Sequence, residues 1–386
     1  MSLLTKASLV LTPNAIKSNK VYSIIPSNGN GDLTFTRDTA ATQINSLGNV
    51  ENVLTTIPRL NYDSVGGCPS LLLEPQRTNL LSYSEDFSFT SWIKKGLTTI
   101  TANTTTSPDG TIDADTLNNA SGSLVWDSGN TLQRDITLVS TSTTYTFSVY
   151  VKSLGSTTFS IALRNQSTGA SVSSNIVPNS GWQRVTVTQT TTVNTSIGLL
   201  FGNTNGNVAI WGVQLEQGAY ATSYIPTTTA AVTRNADTFL RNNIYTNGLI
   251  TSAGGTWFIE LNNNVAYIRD NAGTGLYLGD SATTPSNSIG IINTGTGRLV
   301  INKRISGSVT SLYTTLTNTV KIAFKWNGVT MDVFVNGTKQ VTGEVYTTKI
   351  MEFLSAYQCY VPKSIKSMLL FPTPLTDTEM INLTTL

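Results

Sequence analysis

Apolar residues alternate with period two in short, punctuated runs along this chain. Over residues 145–152, Tyr145, Phe147, Val149 and Val151 alternate with mostly smaller or polar residues. Residues 182–188 place Trp182, Val185 and Val187 at apolar positions with one slip, and the pattern returns over 320–326 and 331–335. Successive side chains of a strand point to opposite faces, so this period specifies strands with one buried face. Each run is bounded by Gly, Asn or Ser clusters such as Gly155-Ser156, Asn327-Gly328 and Asn336-Gly337. The last two pairs suit type I′ hairpin turns, whose central residues both need positive φ. Threonine supplies much of the exposed half, with 63 residues in 386. Its branched side chain is stiff at χ1 and fits a half-exposed pleated surface. Many short strands between such turns imply an all-β chain of sandwiches or barrels. One short helix is expected over residues 377–383, with Thr376 as its cap and Glu379 three residues on.

The chain contains no histidine. That removes Ser–His and Cys–His nucleophile pairs, a His general base and His metal ligands. Net charge is +2, and the tightest basic groups, Lys94-Lys95 and Lys303-Arg304, hold two charges each. A nucleic-acid-binding stripe is therefore not expected. No run approaches the ~18 apolar residues of a membrane span, so no membrane insertion is expected. Lys6, Pro13 and Lys17 interrupt the first twenty residues, which lack the unbroken apolar core of a secretion signal. Synthesis in a cytoplasm follows as the expectation. Cys68 and Cys359 lie far apart in sequence, and two reduced thiols are expected.

Two polar breaks divide the chain. One spans residues 74–80 and carries Pro75; the other spans 225–231 and is rich in Pro and Thr. Three parts result: 1–78, 79–228 and 235–386. Phe35-Thr36-Arg37-Asp38 is faintly echoed by Val232-Thr233-Arg234-Asn235 after the second break. The first part holds weak strands at 8–11 and 33–35 and no evident core of its own. It is expected to be ordered by neighbouring chains or by a larger particle.

Residues 57–87 read IPRLNYDSVGGCPSLLLEPQRTNLLSYSEDF. This string resembles the junction found in bacteriophage virion proteins of the head-fibre and tail-fibre kind, where it leads into a jelly-roll of carbohydrate-binding type. Gly181-Trp182-Gln183-Arg184-Val185, IWGVQLE at 210–216 and TSYIP at 222–226 extend the resemblance. The third part resembles the concanavalin A-like (laminin-G-like) sandwich, through TWFIE at 256–260, KWN at 325–327, VFVNG at 333–337 and the tail at 370–383. The resemblance implies an N-terminal virion-attachment or oligomerisation segment followed by two β-sandwich domains, a jelly-roll and then a concanavalin A-like domain. It implies a non-enzymatic structural protein on the phage particle surface: a head (capsid) fibre subunit, homotrimeric, held by capsid or tail proteins and aiding reversible adhesion to host-surface glycans. The alternatives are a tail-fibre adhesin with dedicated glycan affinity and a polysaccharide depolymerase. No fixed repeat of a β-helical depolymerase is visible, and no acidic pair picks out a glycosidase site.

Sugar recognition uses aromatic faces together with amides and carboxylates. Trp182, Trp211, Trp257 and Trp326 lie in alternating runs and are expected in inter-sheet cores, and Trp92 is expected to pack the start of the jelly-roll. Trp126 precedes Asp127 and a turn signal, so it is the leading aromatic platform, with Asp127 beside it. Tyr267, Tyr277 and Tyr313 are secondary candidates. By resemblance, a structural calcium would involve Glu85 or Asp86 with Glu216, since oxygen ligands suit Ca²⁺ without histidine. Otherwise Glu85 and Asp86 cap a turn and Glu216 is a surface residue. No other cofactor is expected.

Overall fold

A computed structural model describes residues 3–62, 67–138, 140, 142–191, 195–262, 273–293, 299–313, 319–347, 350–356 and 363–386. The chain is all-β, with one short α-helix among the described residues. It forms two compact units. One comprises residues 1–48, 52–76 and 235–386; the other comprises 49–51 and 77–234.

The 77–234 unit is a sandwich of two five-stranded antiparallel sheets. The first runs in the order Ile93–Lys94, Leu132–Leu138, Thr195–Gly202, Phe159–Asn165, Ser171–Ile176. The second runs Thr99–Thr106, Ile112–Asn118, Asn207–Gln217, Thr144–Leu154, Gln183–Thr190. Alternation turns Phe147, Val149, Ile161, Leu163, Leu199 and Phe201 into one buried core. Each such side chain contributes roughly 1.5–3 kcal/mol by leaving water. Trp92 belongs to this core, its ring 5.3 Å from that of Phe201. The segments by which the chain enters and leaves, Arg77–Asn79 and Val232–Arg234, pair antiparallel.

Two tryptophans depart from expectation. Trp211 is buried, but on the face of its sheet opposite the core, against Tyr150 at 5.6 Å and Tyr224 at 4.6 Å. Trp182 is only half-buried. It precedes the strand Gln183–Thr190, and its indole N–H donates to the Thr106 carbonyl at 3.0 Å. The register slip in its run is the reason: Trp182 falls outside the alternating strand.

The other unit packs an eight-stranded sheet against a nine-stranded one around a core that includes Trp257, Phe324 and Trp326, with a smaller buried cluster around Phe258, Phe334 and Met380. The expectation of a separate first segment is corrected here. Leu9–Leu11 and Ser70–Leu73 both pair with Lys363–Phe371, and Leu33–Thr36 pairs with Thr238–Arg241. Leu9, Leu11, Leu33, Phe35, Leu71 and Leu73 are fully buried in the same core as Trp257. The segment lacks a core of its own because its strands complete that of residues 235–386.

Asn336 and Gly337 both have positive φ, 47° and 79°, as a type I′ turn requires. At the other Asn-Gly pair only Gly328 does (φ 92°). There the Asn327 side chain instead accepts the N–H groups of Val329 and Thr330, at 3.1 and 2.9 Å.

The helix forms as expected, over Asp377–Thr384, with a complete capping box. The Thr376 N–H and hydroxyl donate to Glu379, each at 2.9 Å, and Thr376 Oγ1 accepts the Glu379 N–H. The Lys6 ammonium and these Thr376 bonds push the Glu379 carboxyl down to about 2. Lys325 and Lys339 lower Asp377 as well. A folded-state pKa below the ordinary value gives stability that is present above about 4.5 and lost as pH falls through the folded pKa. The denaturant midpoint of this unit should therefore decline from pH 4.5 to 2, and less so in Glu379→Gln. A midpoint equally pH-dependent in both proteins would contradict the assignment.

Candidate functional site

The first jelly-roll sheet offers a face on the side away from the core. Across it, Asp135, Gly198 and Arg164 stand in one row on three neighbouring strands, and Gln133, Leu200 and Ala162 in the next. The loop 119–131 lies over this face. Its ends are tied by the Gly122 N–H to the Asn130 carbonyl (2.9 Å) and by the Asn203 N–H to the Gly122 carbonyl (2.9 Å). Gln133 holds its middle: Nε2 donates to the Val125 carbonyl at 3.4 Å and to Thr131 Oγ1 at 2.7 Å, and Oε1 accepts the Asp127 N–H at 3.2 Å. Leu200 and Ala162 are fully buried as a result.

The loop delivers the Trp126 ring onto Gly198. A Cβ at position 198 would overlap the ring and come within 2.8 Å of Gln166 Nε2. Glycine inside a strand marks such close approaches. Around the half-buried ring, the Arg164 guanidinium donates to Gln166 Oε1, and Gln166 Nε2 donates to Asp135 Oδ1 at 3.4 Å. Arg164 has no ion pair among the described residues. One aromatic face thus stands beside a guanidinium, an amide and an exposed carboxylate. That set can stack on an apolar ring face while donating to and accepting from hydroxyls.

Of the residues singled out from sequence, Trp126 and Asp127 belong to this loop. Asp127 is exposed at φ 62°, and its carboxylate pairs with Lys95. Tyr277 is corrected. It lies in the strand Gly273–Gly279 with its ring buried, and its hydroxyl donates to the Ala282 carbonyl at 2.5 Å. Tyr313 packs against the core of its own unit. Tyr267 and Cys359 lie outside the described residues.

The calcium set does not assemble. Asp86 Oδ1 accepts the N–H groups of Ser88 and Phe89, at 2.9 and 3.0 Å, and so caps its own turn. Glu216 is fully buried rather than on the surface, and it accepts the Thr222 N–H at 2.9 Å and the Thr222 hydroxyl. Glu85 accepts the Tyr224 hydroxyl at 2.8 Å, and burial raises its carboxyl above the ordinary value. Among the described residues no three Cys, Asp or Glu side chains are grouped to hold a metal.

Arg164, Gln166, Asp135 and Gly198 were not found from sequence. Asp135, Gly198 and Arg164 are scattered over three strands and gathered by register, and Gln166 lies in the turn just after Phe159–Asn165. Gly198, inside the apolar run Ile197–Phe201, was the available signal.

No protein-family model matches the chain, and no curated protein does. Among solved structures, the chain is similar to the CBM40 of a Ruminococcus gnavus IT-sialidase bound to α2,3-sialyllactose, at 15% identity and TM-score 0.27. That match covers 34% of this chain and 83% of the other. It is also similar to domain 4 of AbnA, a GH43 extracellular arabinanase from Geobacillus stearothermophilus in complex with arabinotriose. There identity is 16% and TM-score 0.31, covering 44% of this chain and 81% of the other.

Proposed function

We propose that the protein is a non-enzymatic fibre subunit on the surface of a bacteriophage particle, and that its jelly-roll binds host-surface glycan through the Trp126 face. The observation that carries the binding half is the Trp126 ring seated on Gly198 beside Arg164, Gln166 and Asp135. A sugar ring stacks its C–H face on the indole, and its hydroxyls pair with the guanidinium, amide and carboxylate. Adhesion of this kind needs repeated weak contacts, which several copies on one particle supply by avidity. The virion half is supported by the 57–87 string.

A glycan array probed with the full chain tests the binding half. A defined subset of glycans should be retained, and uniform absence of binding would overturn it. Mass photometry tests the homotrimer. A clean monomer of about 41 kDa at micromolar concentration counts against assembly in the absence of the particle.

A further inference from the structure

The eight-stranded sheet is forked at Lys363–Phe371. Along one edge of that strand, Leu9–Leu11 pairs with residues 368–370 and Ser70–Leu73 pairs with 363–365. Among the described residues, Lys366 and Ser367 have no partner strand on that edge. On the other edge the register slips at the same point: Glu260 faces Ser367 and Leu261 faces Ile365, so Lys366 is the extra residue of a β-bulge. Bulges of this kind re-aim a side chain out of the ladder. A cavity of about 460 Å³ opens in the fork, walled by Pro13 and Pro69. That volume falls within the range of small-molecule sites.

The groups lining the fork are chemically complementary. Lys366 makes no ion pair among the described residues. Glu260 Oε2 accepts the Ser367 hydroxyl at 3.1 Å, and among the described residues Oε1 has no partner. The Thr12 hydroxyl and the Asn14 amide stand on the wall formed after Leu9–Leu11, and the exposed Cys68 thiol on the wall before Ser70–Leu73. We infer that this fork is a binding site for a small hydroxylated carboxylate, of the sugar-acid class. Its carboxylate would sit at the Lys366 ammonium, and its hydroxyls would donate to Glu260 and exchange bonds with Thr12 and Asn14. The ammonium can pair with one carboxylate, while the Glu260 carboxylate in the same fork disfavours the second negative charge of a dianion such as phosphate. The same ammonium disfavours a metal cation. An open carboxylate oxygen calls for hydroxyl donors, so a plain fatty or aliphatic acid would leave it unpaired. The site lies in the other unit from the Trp126 face and shares no residue with it.

Cys68 is a built-in reporter. The intact protein is treated with iodoacetamide, and peptide mass spectrometry follows Cys68 separately from Cys359. Sodium D-glucuronate and a glucuronate-terminated oligosaccharide are the two probes, with D-glucose as the neutral control. At about nine times its Kd, a ligand that covers the thiol slows alkylation about tenfold. Protection by either acid, with none from glucose, is expected. The tighter of the two tells whether the occupant is a free sugar acid or the acidic end of a polysaccharide. Lys366→Met should abolish protection, read against that variant's own unliganded alkylation rate, and Lys366→Arg should retain it. Isothermal titration with the same probes gives a second readout independent of the thiol. Absence of both protection and heat from either acid overturns the inference, as does equal protection by glucose or full protection in Lys366→Met.

Discussion

Asp237→Ala is expected to destabilise its unit by about 3–5 kcal/mol, the cost of removing one partner from a buried ion pair. The reason lies in what the Asp237 carboxylate holds. Its Oδ1 accepts from the Arg37 guanidinium at 3.0 Å, and its Oδ2 takes both the Arg59 guanidinium and the Glu74 N–H, the latter at 2.8 Å. Arg59 also donates to Glu74 Oε2 at 2.7 Å and to the Thr42 carbonyl at 2.9 Å. Arg37 donates to the carbonyls of Thr39 and Leu54, at 2.8 and 2.7 Å. All four charged side chains are at most 5% exposed. Burial alone would lower the Arg59 pKa, but Asp237 and Glu74 hold it above its ordinary value. Removing Asp237 takes away the carboxylate that both buried guanidinium groups share. The check is denaturant unfolding followed by a probe in each unit. The transition of this unit should move to much lower denaturant, and that of the 77–234 unit should stay in place. Replacing Arg37, Arg59, Glu74 and Asp237 together by apolar residues of similar volume should recover much of the loss. A wild-type melting profile for Asp237→Ala would show that the network adds nothing.

This network also marks where sequence reading succeeds and where it stops. The first polar break, residues 74–80, contains the division at 76–77, whereas the second, 225–231, stops short of the division at 234–235. Period-two alternation identified the strands, and Thr376 with Glu379 identified the one helix, because both signals are local. The faint echo of Thr36-Arg37 in Thr233-Arg234 does not mark a repeated unit. Each arginine is a buried anchor at the end of a short strand, Arg37 on Asp237 and Arg234 on the Ser223 hydroxyl at 2.7 Å. Pairing between residues 9–11 and 368–370 spans almost the whole chain. Alternation says which residues of a strand face inward and nothing about which strand lies beside it. For that reason the first segment read as a coreless attachment piece. The candidate site divides in the same way. Trp126 was legible because a turn signal follows a tryptophan. Asp135, Gly198 and Arg164 are more than 28 residues apart in sequence and meet only through cross-strand register. Glu216 was misjudged because a carboxylate satisfied by Thr222 can be buried.

Glycan affinity is expected to fall about 30-fold or more in Trp126→Ala, the loss of some 2 kcal/mol typical of an aromatic anchor. That result alone would not separate a stacking platform from a residue that merely holds the loop. Gly198→Ala makes the distinction. It removes no polar group, yet its Cβ occupies space taken by the Trp126 ring and crowds the Gln166 amide. The atoms nearest that Cβ belong to side chains, so the backbone pairing of Thr195–Gly202 with both neighbours is expected to persist. Gly198→Ala should therefore lower affinity about tenfold with a melting temperature close to wild type, because the ring can lift away from the sheet at little cost to the fold. Both substitutions act through the same ring, so their effects should not add. The double variant should bind no worse than Trp126→Ala alone. Additive losses would mean that Gly198 serves binding by some route other than seating the indole, and the platform reading would fail.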